Sequence, residues 1–484
     1  MNVRRWIALS MVAALMTGCA VGPKYERPAL PVPSGFKEPP PEAFKETKDW
    51  KAAQAGQPMP LPAKWWEAFG DPQLNQIEEQ VLIGNQDLKV AEARFRQARA
   101  LIRLNKSAEF PTVSVGPSVG AVRTSANRPY APGNVGAGGD FALPFDFSWE
   151  LDLWGRVRKN VAAATDTAKA AAADSAAAVL AVQAETAFDY FELRSADAQQ
   201  RLLNDTVAAY TQAYELTKNR FEGGASPKSE VAQALTQLEQ TRAQSTDIGV
   251  QRAQFEHAIA ILLGKAPAEF SIAPAVTQLQ PPTVPVGVPS QLLERRPDIA
   301  ASELRVMEAN EQVGLTKIAF YPTVMLSAAL GLEGTSLLNW FNWPSRFWAV
   351  GPSLAQTIFD GGRRRAASES AAAGYDATVA EYRQTTLTAF QQVEDSLSAL
   401  RILEKESGQQ RDAVVSAQES LGLFENRYKG GVDNYLQVIT AQTILLSNQR
   451  TEIDILRRRM DASVLLIKAL GGGWDVTKLP AIHT

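Results

Sequence analysis

The sequence has one cysteine and two histidines in 484 residues. A lone cysteine cannot form an intramolecular disulfide. Cys19, His257 and His483 cannot assemble a zinc site between them, so no metal is expected. No Walker A pattern occurs, and GNVGAGGD (133–140) lies in a strand-to-strand loop instead of opening a helix, so it is not a dinucleotide fingerprint. No nucleophile–base pairing stands out, and the expectation is a protein that is not an enzyme and uses no cofactor. Net charge is −3 with both signs interspersed, which leaves no footprint for nucleic acid. After Cys19 no apolar run approaches the roughly 18 residues of a membrane-spanning helix. Glycine and proline are absent between Gly155 and Phe221, and from Arg363 to Tyr428 there is no proline and only Gly374, Gly408 and Gly422. Without breakers, each stretch of about 66 residues predicts a continuous helix roughly 100 Å long.

The front of the chain supplies what the interior lacks. Arg4 and Arg5 precede an apolar run from Trp6 to Met16, the length of a secretory signal. Leu15-Met16-Thr17-Gly18 then leads into Cys19 and resembles a bacterial lipobox, with methionine where leucine is usual. That reading makes 1–18 a signal peptide and Cys19 the lipidated N-terminus, with Ala20 implying sorting to the outer membrane. The alternative is an ordinary signal peptide beside an incidental cysteine. From Gly22 to Pro62 the chain is rich in Pro, Lys and Glu, so residues 19–69 read as a lipid-anchored tether.

The body of the chain is duplicated. KNRFEGGASPKSEV (218–231) is answered 207 positions later by ENRYKGGVDNYLQV (425–438). Asn85-Gln86-Asp87-Leu88 answers Arg296-Pro297-Asp298-Ile299, and Phe110-Pro111-Thr112-Val113 answers Tyr321-Pro322-Thr323-Val324, both at an offset of 211. Two repeats follow, 70–270 and 290–473, joined by a linker at 271–289 and trailed by a tail at 474–484. Each reads helix, two strands, long helix, turn, helix. In the second long helix, apolar residues from Tyr375 through Tyr382, Phe390 and Leu397 step by three and four, the seam of a shallow helical packing. The pattern lapses at RSADAQQR (194–201) and LEKESGQQR (403–411), where a solvated belt and a contact with another layer serve equally well as explanations. Gly-Gly followed by Ser226-Pro227 or Asp433-Asn434 predicts a helix stop and a cap on the next helix, hence two hairpin tips.

Strands are expected at about 111–124, 139–153, 322–333 and 346–359. Phe141, Leu143, Phe145, Phe147, Trp149, Leu151 and Leu153 alternate with residues that include Asp146, Glu150 and Asp152, the latter predicted to face a lumen or simply solvent. Such alternation, with aromatics at Phe110, Trp154, Tyr321 and Phe359 on one side and NWFNWPSRFW (339–348) on the other, fits transmembrane β-strands. A half-buried sheet on a soluble core is the alternative. Four strands leave two bare edges, which lipid does not tolerate, so several chains must pool their strands. That inference alone does not choose three chains over two or four.

Together the lipobox, GPKYERP (22–28), WWEAFGDPQL (65–74), RRPDIAASELRVMEANEQVGLTKIAFYPT (295–323), FDGGRRR (359–365) and the two tips cover nearly the whole chain. They resemble the TolC-like outer membrane efflux proteins, in the lipoprotein branch serving resistance-nodulation-division pumps. The resemblance implies a mainly α fold with a transmembrane β-barrel: a homotrimer whose twelve-stranded barrel, four strands per chain, continues into a periplasmic α-helical tube wrapped by an equatorial belt. It implies a passive outer-membrane duct, embedded in outer-membrane lipid, that works with a periplasmic adaptor and an inner-membrane pump. The competing class is a lipid-anchored periplasmic coiled-coil scaffold or adaptor without a pore.

By the same resemblance, Arg427, Tyr428 and Asp433 match the closed periplasmic gate. In a trimer three Asp433 carboxylates would converge and favour cations. The duller reading makes Asp433 an N-cap and Arg427 a helix C-terminal cation. The first tip, with Ser226-Pro227 in place of Asp433-Asn434, reads as an adaptor-docking tip. Docking is assigned to Arg220, Gly223, Gly224 and Ser226 there, and to Gly430, Gly431 and Leu436 on the second tip.

Overall fold

The computed structural model describes residues 21–30, 32–41, 62–123, 125, 127, 137–276, 279–284 and 289–482. The signal peptide, Cys19 and His483 lie outside them. The breaker-free stretches are single helices: α3 (Arg156–Glu222) and α7 (Arg363–Lys429), each 67 residues. Their hairpin partners, α4 (Lys228–Leu262) and α8 (Tyr435–Ala469), are 35 residues each, and both pairs are displaced by 207 positions. Both long helices start after a left-handed glycine, Gly155 or Gly362, with an aspartate as cap. Asp152 accepts from the Val157 and Arg158 amides at 3.0 Å, and Asp360 from those of Gly362 and Arg364 at 3.1 and 3.2 Å. Asp152 is therefore not the free lumen-facing charge that alternation predicted, and Glu150 is held by Arg156. The expected seam is present: Tyr382, Thr386, Phe390, Val393, Leu397 and Leu400 are buried, with Tyr375 and Val379 packed beside them.

The leading helix of each repeat is two pieces, a division the sequence pattern did not reveal: α1 (Pro72–Gly84) and α2 (Gln86–Lys106), then α5 (Pro289–Arg295) and α6 (Pro297–Ile318). The breaks are joints where another helix ends. Asn85 caps α2 through the Leu88 amide at 3.1 Å and donates to the Leu262 carbonyl of α4 at 2.9 Å. Gly264 (φ +69°) lies so close that a Cβ would stand 2.3 Å from the Gly84 carbonyl oxygen. In the second repeat, Arg296 donates to the Ala469 carbonyl at 3.1 Å, and a Cβ on Gly471 would stand 2.0 Å from the Arg295 oxygen. The short helices thus stack end to end against the long ones, and the matched NQDL and RPDI stretches mark the joints.

One antiparallel sheet joins the repeats: β1 (Thr112–Val115) and β2 (Ser118–Val122) pair with β3 (Gly138–Glu150), followed by β4 (Thr323–Gly334) and β5 (Arg346–Ala355). β1 and β2 are one strand in one register, Thr112 opposite Ser148 and Ser118 opposite Ala142. The ladder lapses between them because Pro117 has no N–H and Pro144 of β3 stands opposite, leaving only a Gly116 amide to Pro144 carbonyl bond at 3.3 Å. The second and fourth strands end earlier than expected, at Glu150 and Ala355. β4 begins at Thr323 opposite Ala355, so its partners run out, and Asp152 and Asp360 turn away to cap helices. Ile358 and Phe359 accordingly lie beyond the strand.

Register separates the two faces. Val113, Phe147, Ala328 and Val350 form one cross-strand row, and Val115, Phe145, Leu330 and Trp348 the next. Thr112, Ser148, Ser327 and Gly351 lie on the opposite face. The apolar face is uncovered, with Val113 at 67 % and Trp348 at 77 % exposure. In water such a band would be costly.

The core lies midway along the long helices, where Trp65, Trp66, Phe69, Tyr190, Phe191 and Tyr382 are buried together. The two polar stretches differ there. Arg194 to Asp197 are buried beneath another layer: Arg194 meets Asp197 at 2.7 Å and the Ala273 carbonyl at 3.2 Å, and Asp197 also accepts from Arg252 at 2.7 Å. Residues 404–411 are half-buried or exposed. Each explanation left open by the sequence therefore holds in one repeat. Within the tether, the described residues from 21 to 41 form a packed strap: Tyr25, Leu30, Val32 and Phe36 contact the core, and the Glu394 carboxylate accepts the Lys37 and Glu38 amides at 2.7 and 2.8 Å.

Candidate functional site at the hairpin tips

Both tips have the same backbone. Gly224 (φ +74°) and Gly431 (φ +73°) adopt the left-handed conformation that ends a helix with crossed hydrogen bonds. Ala225 N–H reaches the Arg220 carbonyl at 2.7 Å, and Val432 N–H reaches that of Arg427 at 3.0 Å. Gly223 and Gly430 carry ordinary negative φ and are ordinary positions of the turn. The expected side-chain caps do not form: Pro227 and Asn434 precede α4 and α8, and neither caps through its side chain. Ser226 instead points back, its hydroxyl donating weakly to the Thr217 carbonyl at 3.5 Å.

Asp433 is engaged elsewhere. Its carboxylate accepts two bonds from Arg427, at 2.5 and 3.2 Å, a bidentate clasp across the second tip. The hydrogen bonds from Arg427 hold the Asp433 carboxyl below the usual carboxylate range. The capping alternative for Asp433 is thus replaced by an ion pair within the same turn.

Tyr428 joins the two tips. It is buried, packs at a tilt against Tyr435 with centroids 5.2 Å apart, and donates its hydroxyl to Glu230 of the first hairpin at 3.1 Å. Arg220 lies 4.7 Å over the Tyr428 ring and donates to its carbonyl at 3.3 Å. Burial, with Glu230 beside it, pushes the Tyr428 phenol upward. Nothing in the sequence pattern alone singles out Glu230 as a link between the tips. Its signal was position, three residues after Pro227 where a capping carboxylate is common; here it caps the neighbouring helix, meeting the Tyr435 amide at 3.5 Å. Leu436, Phe221 and Val432 are exposed at 50, 40 and 67 %, which gives the tips an apolar rim.

A sheet with a lipid-type face set on helical hairpins ~100 Å long defines a subunit of an outer-membrane channel. The family described as outer membrane efflux protein matches residues 78–265 and 288–472, and the chain belongs to it. The toluene efflux pump outer membrane protein TtgF of Pseudomonas putida is 34 % identical over 471 residues, 97 % of this chain and 96 % of that protein. OprJ of Pseudomonas aeruginosa is 31 % identical over 492 residues, covering 99 % and 98 %. Among solved structures, the outer-membrane channel OprN matches with a TM-score of 0.84 at 28 % identity, over 94 % of this chain and all of that one. The Campylobacter jejuni channel CmeC matches at 0.87 and 25 %, over 95 % and 96 %. The protein is an outer-membrane efflux channel component.

Proposed function

We propose that the protein works as a homotrimer: a passive duct whose twelve strands close one barrel and whose hairpins, two per chain, form a periplasmic tube. The carrying observation is the open sheet, apolar on one face, with β1/β2 and β5 as edges that have no partner among the described residues. Such edges are satisfied in lipid only by other chains. Energy comes from an inner-membrane resistance-nodulation-division pump, linked through a periplasmic adaptor that docks on the apolar rim at Leu436, Phe221 and Val432 and on both Gly-Gly turns. Neither the duct nor its tips perform catalysis. The repeats act as two domains, 70–270 and 290–473, on a tether lipidated at Cys19. Gly22 supports that anchor: it packs on Gly314, nine residues before β4 begins, and three residues of chain reach at most roughly 11 Å.

The second tip is the gate, with Arg427, Tyr428 and Asp433 as its latch and Glu230 as the acceptor that ties it to the first hairpin. Arg220 serves this latch through Tyr428 as well as belonging to the docking tip. Averaged electron-microscope images of the detergent-extracted protein test the duct: a three-fold ring end-on and a hollow cylinder well over ~100 Å long from the side are expected. Solid or monomeric particles would sink it and favour the scaffold. In planar bilayers, Asp433→Ala and Glu230→Gln should each raise conductance and weaken cation preference or closure; unchanged traces in both would remove the gate assignment.

A further inference from the structure

Four helix ends meet the sheet on one side. β1 and β4 start there and β3 and β5 finish there, because Thr112, Ser148, Ser327 and Gly351 share a row. The aromatic level is well marked: Trp154 stacks on Tyr321 at 4.9 Å and donates to the Pro322 carbonyl at 2.8 Å. Ile358 and Phe359 stand 93 and 88 % exposed beside it.

Immediately beyond that level the helices carry cations. Lys106 and Lys317 close α2 and α6, where the helix dipole welcomes positive charge. Arg156 and Arg158 open α3, and Arg363, Arg364 and Arg365 open α7, where the dipole opposes it and neither first turn holds an acid. Some of this charge is matched internally, Arg158 by Asp152 at 3.1 Å and Arg364 by Asp360 at 2.6 Å. Arg156 is likewise held by Glu150 at 2.7 Å, whereas the other four cations have little or no counter-charge. Among the described residues Lys106, Lys317 and Arg363 enter no ion pair, and Arg365 only brushes Glu369 at 3.3 Å with its side chain 84 % exposed. Guanidinium groups set against a helix dipole, level with interfacial aromatics, call for an external anion at that depth.

We propose that this basic rim binds the phosphate groups of anionic phospholipids in the periplasmic leaflet of the outer membrane. The proposal rests on the strands crossing that membrane and extends the duct reading without depending on the gate. The chemistry is a forked guanidinium on a phosphodiester, with the acyl chains lying along the exposed apolar face that starts at Phe359 and Ile358. The source is a lipid and not free phosphate because the aromatic level and the cations are contiguous.

Native mass spectrometry of the full-length protein, extracted in neutral detergent and titrated with phosphatidylglycerol or phosphatidylcholine, tests this. Phosphatidylglycerol should be retained in preference, and Arg363→Gln with Arg365→Gln should lower its retention about fivefold per charge removed. Arg363→Lys with Arg365→Lys should keep most of it, and raised salt should weaken it in the wild type. Equal retention of the two lipids, or no loss in the glutamine variant, overturns the proposal. Displacement of phosphatidylglycerol by millimolar inorganic phosphate would also overturn it, by showing a plain anion site. The oligomer mass in the same spectra reports separately on the duct.

Discussion

At an offset of 207 the two repeats place like residues in unlike surroundings. Arg194 and Asp197 of the first are buried, their side chains 1 and 2 % exposed, in a node with Arg252 and the 272–275 segment. Their counterparts in the second are Arg401, 41 % exposed and paired with Glu38 of the strap, and Glu404, which is half-buried. Helix lengths agree to the residue, yet the same arginine is a buried anchor in one repeat and a surface clasp in the other. The backbone plan comes from where breakers and caps fall. The role of each side chain comes from which layer lies over it.

The largest expected effect breaks that symmetry directly. Arg194→Ala leaves Asp197 buried against one remaining guanidinium and should cost roughly 3–5 kcal/mol. Arg401→Ala removes an exposed pair and should cost under about 1 kcal/mol. Denaturant unfolding of the detergent-solubilised protein, followed by far-ultraviolet circular dichroism, reads both. Equal losses would mean that the belt layer does not seal the first repeat. A second contrast uses glycines of the same conformation. Gly224→Ala at the open tip should cost only the left-handed penalty, ~1 kcal/mol. Gly264→Ala at the α2–α4 joint adds a clash with the Gly84 carbonyl, for a total of roughly 3 kcal/mol. If the two variants unfold alike, the end-to-end joint is looser than the contact at Gly84 implies.

Much of this architecture is legible in the sequence itself. A 66-residue stretch free of breakers has one structural solution, and a Gly-Gly turn repeated at 207 positions announces two tips. Period-two alternation placed the apolar face of β3 correctly from Phe141 to Trp149. What the sequence hid depended on contacts between distant segments. Asp152 reads as an outward strand residue until the α3 amides claim it, and Asp433 reads as a cap until Arg427 does. Glu230 looks like the capping carboxylate of its own helix, whereas its partners, Tyr428 and Tyr435, lie 198 and 205 positions away. Local pattern encodes the element, and only tertiary proximity decides which neighbour a polar group satisfies.

The smallest expected effect sharpens the comparison through pH. Glu185, Asp189 and Glu192 line one stripe of α3, where the second repeat has Gln392, Ser396 and Ala399. Burial, reinforced by Glu185 and Glu192, pushes Asp189 up to about 7, and burial likewise pushes Asp461 of α8 up to about 7 against the pull of Arg457. A carboxyl whose folded value exceeds its ordinary 3.8 binds its proton more tightly when folded. Its contribution is complete below pH ~4 and is lost as pH rises through about 7. Thermal unfolding should therefore move to lower temperature between those limits, and more gradually above them, where only the buried Glu78 carboxyl, pushed up to about 9, is still ionising. Asp189→Ser imports the second repeat's solution, a hydroxyl that at Ser396 bonds the Gln392 carbonyl at 2.7 Å and never ionises in this range. The variant should flatten the profile between pH 4 and 7 without abolishing it, because Asp461 still titrates. An unchanged slope would place Asp189 in contact with water and leave the response to the other buried carboxyls, Asp461, Asp166 and Glu78.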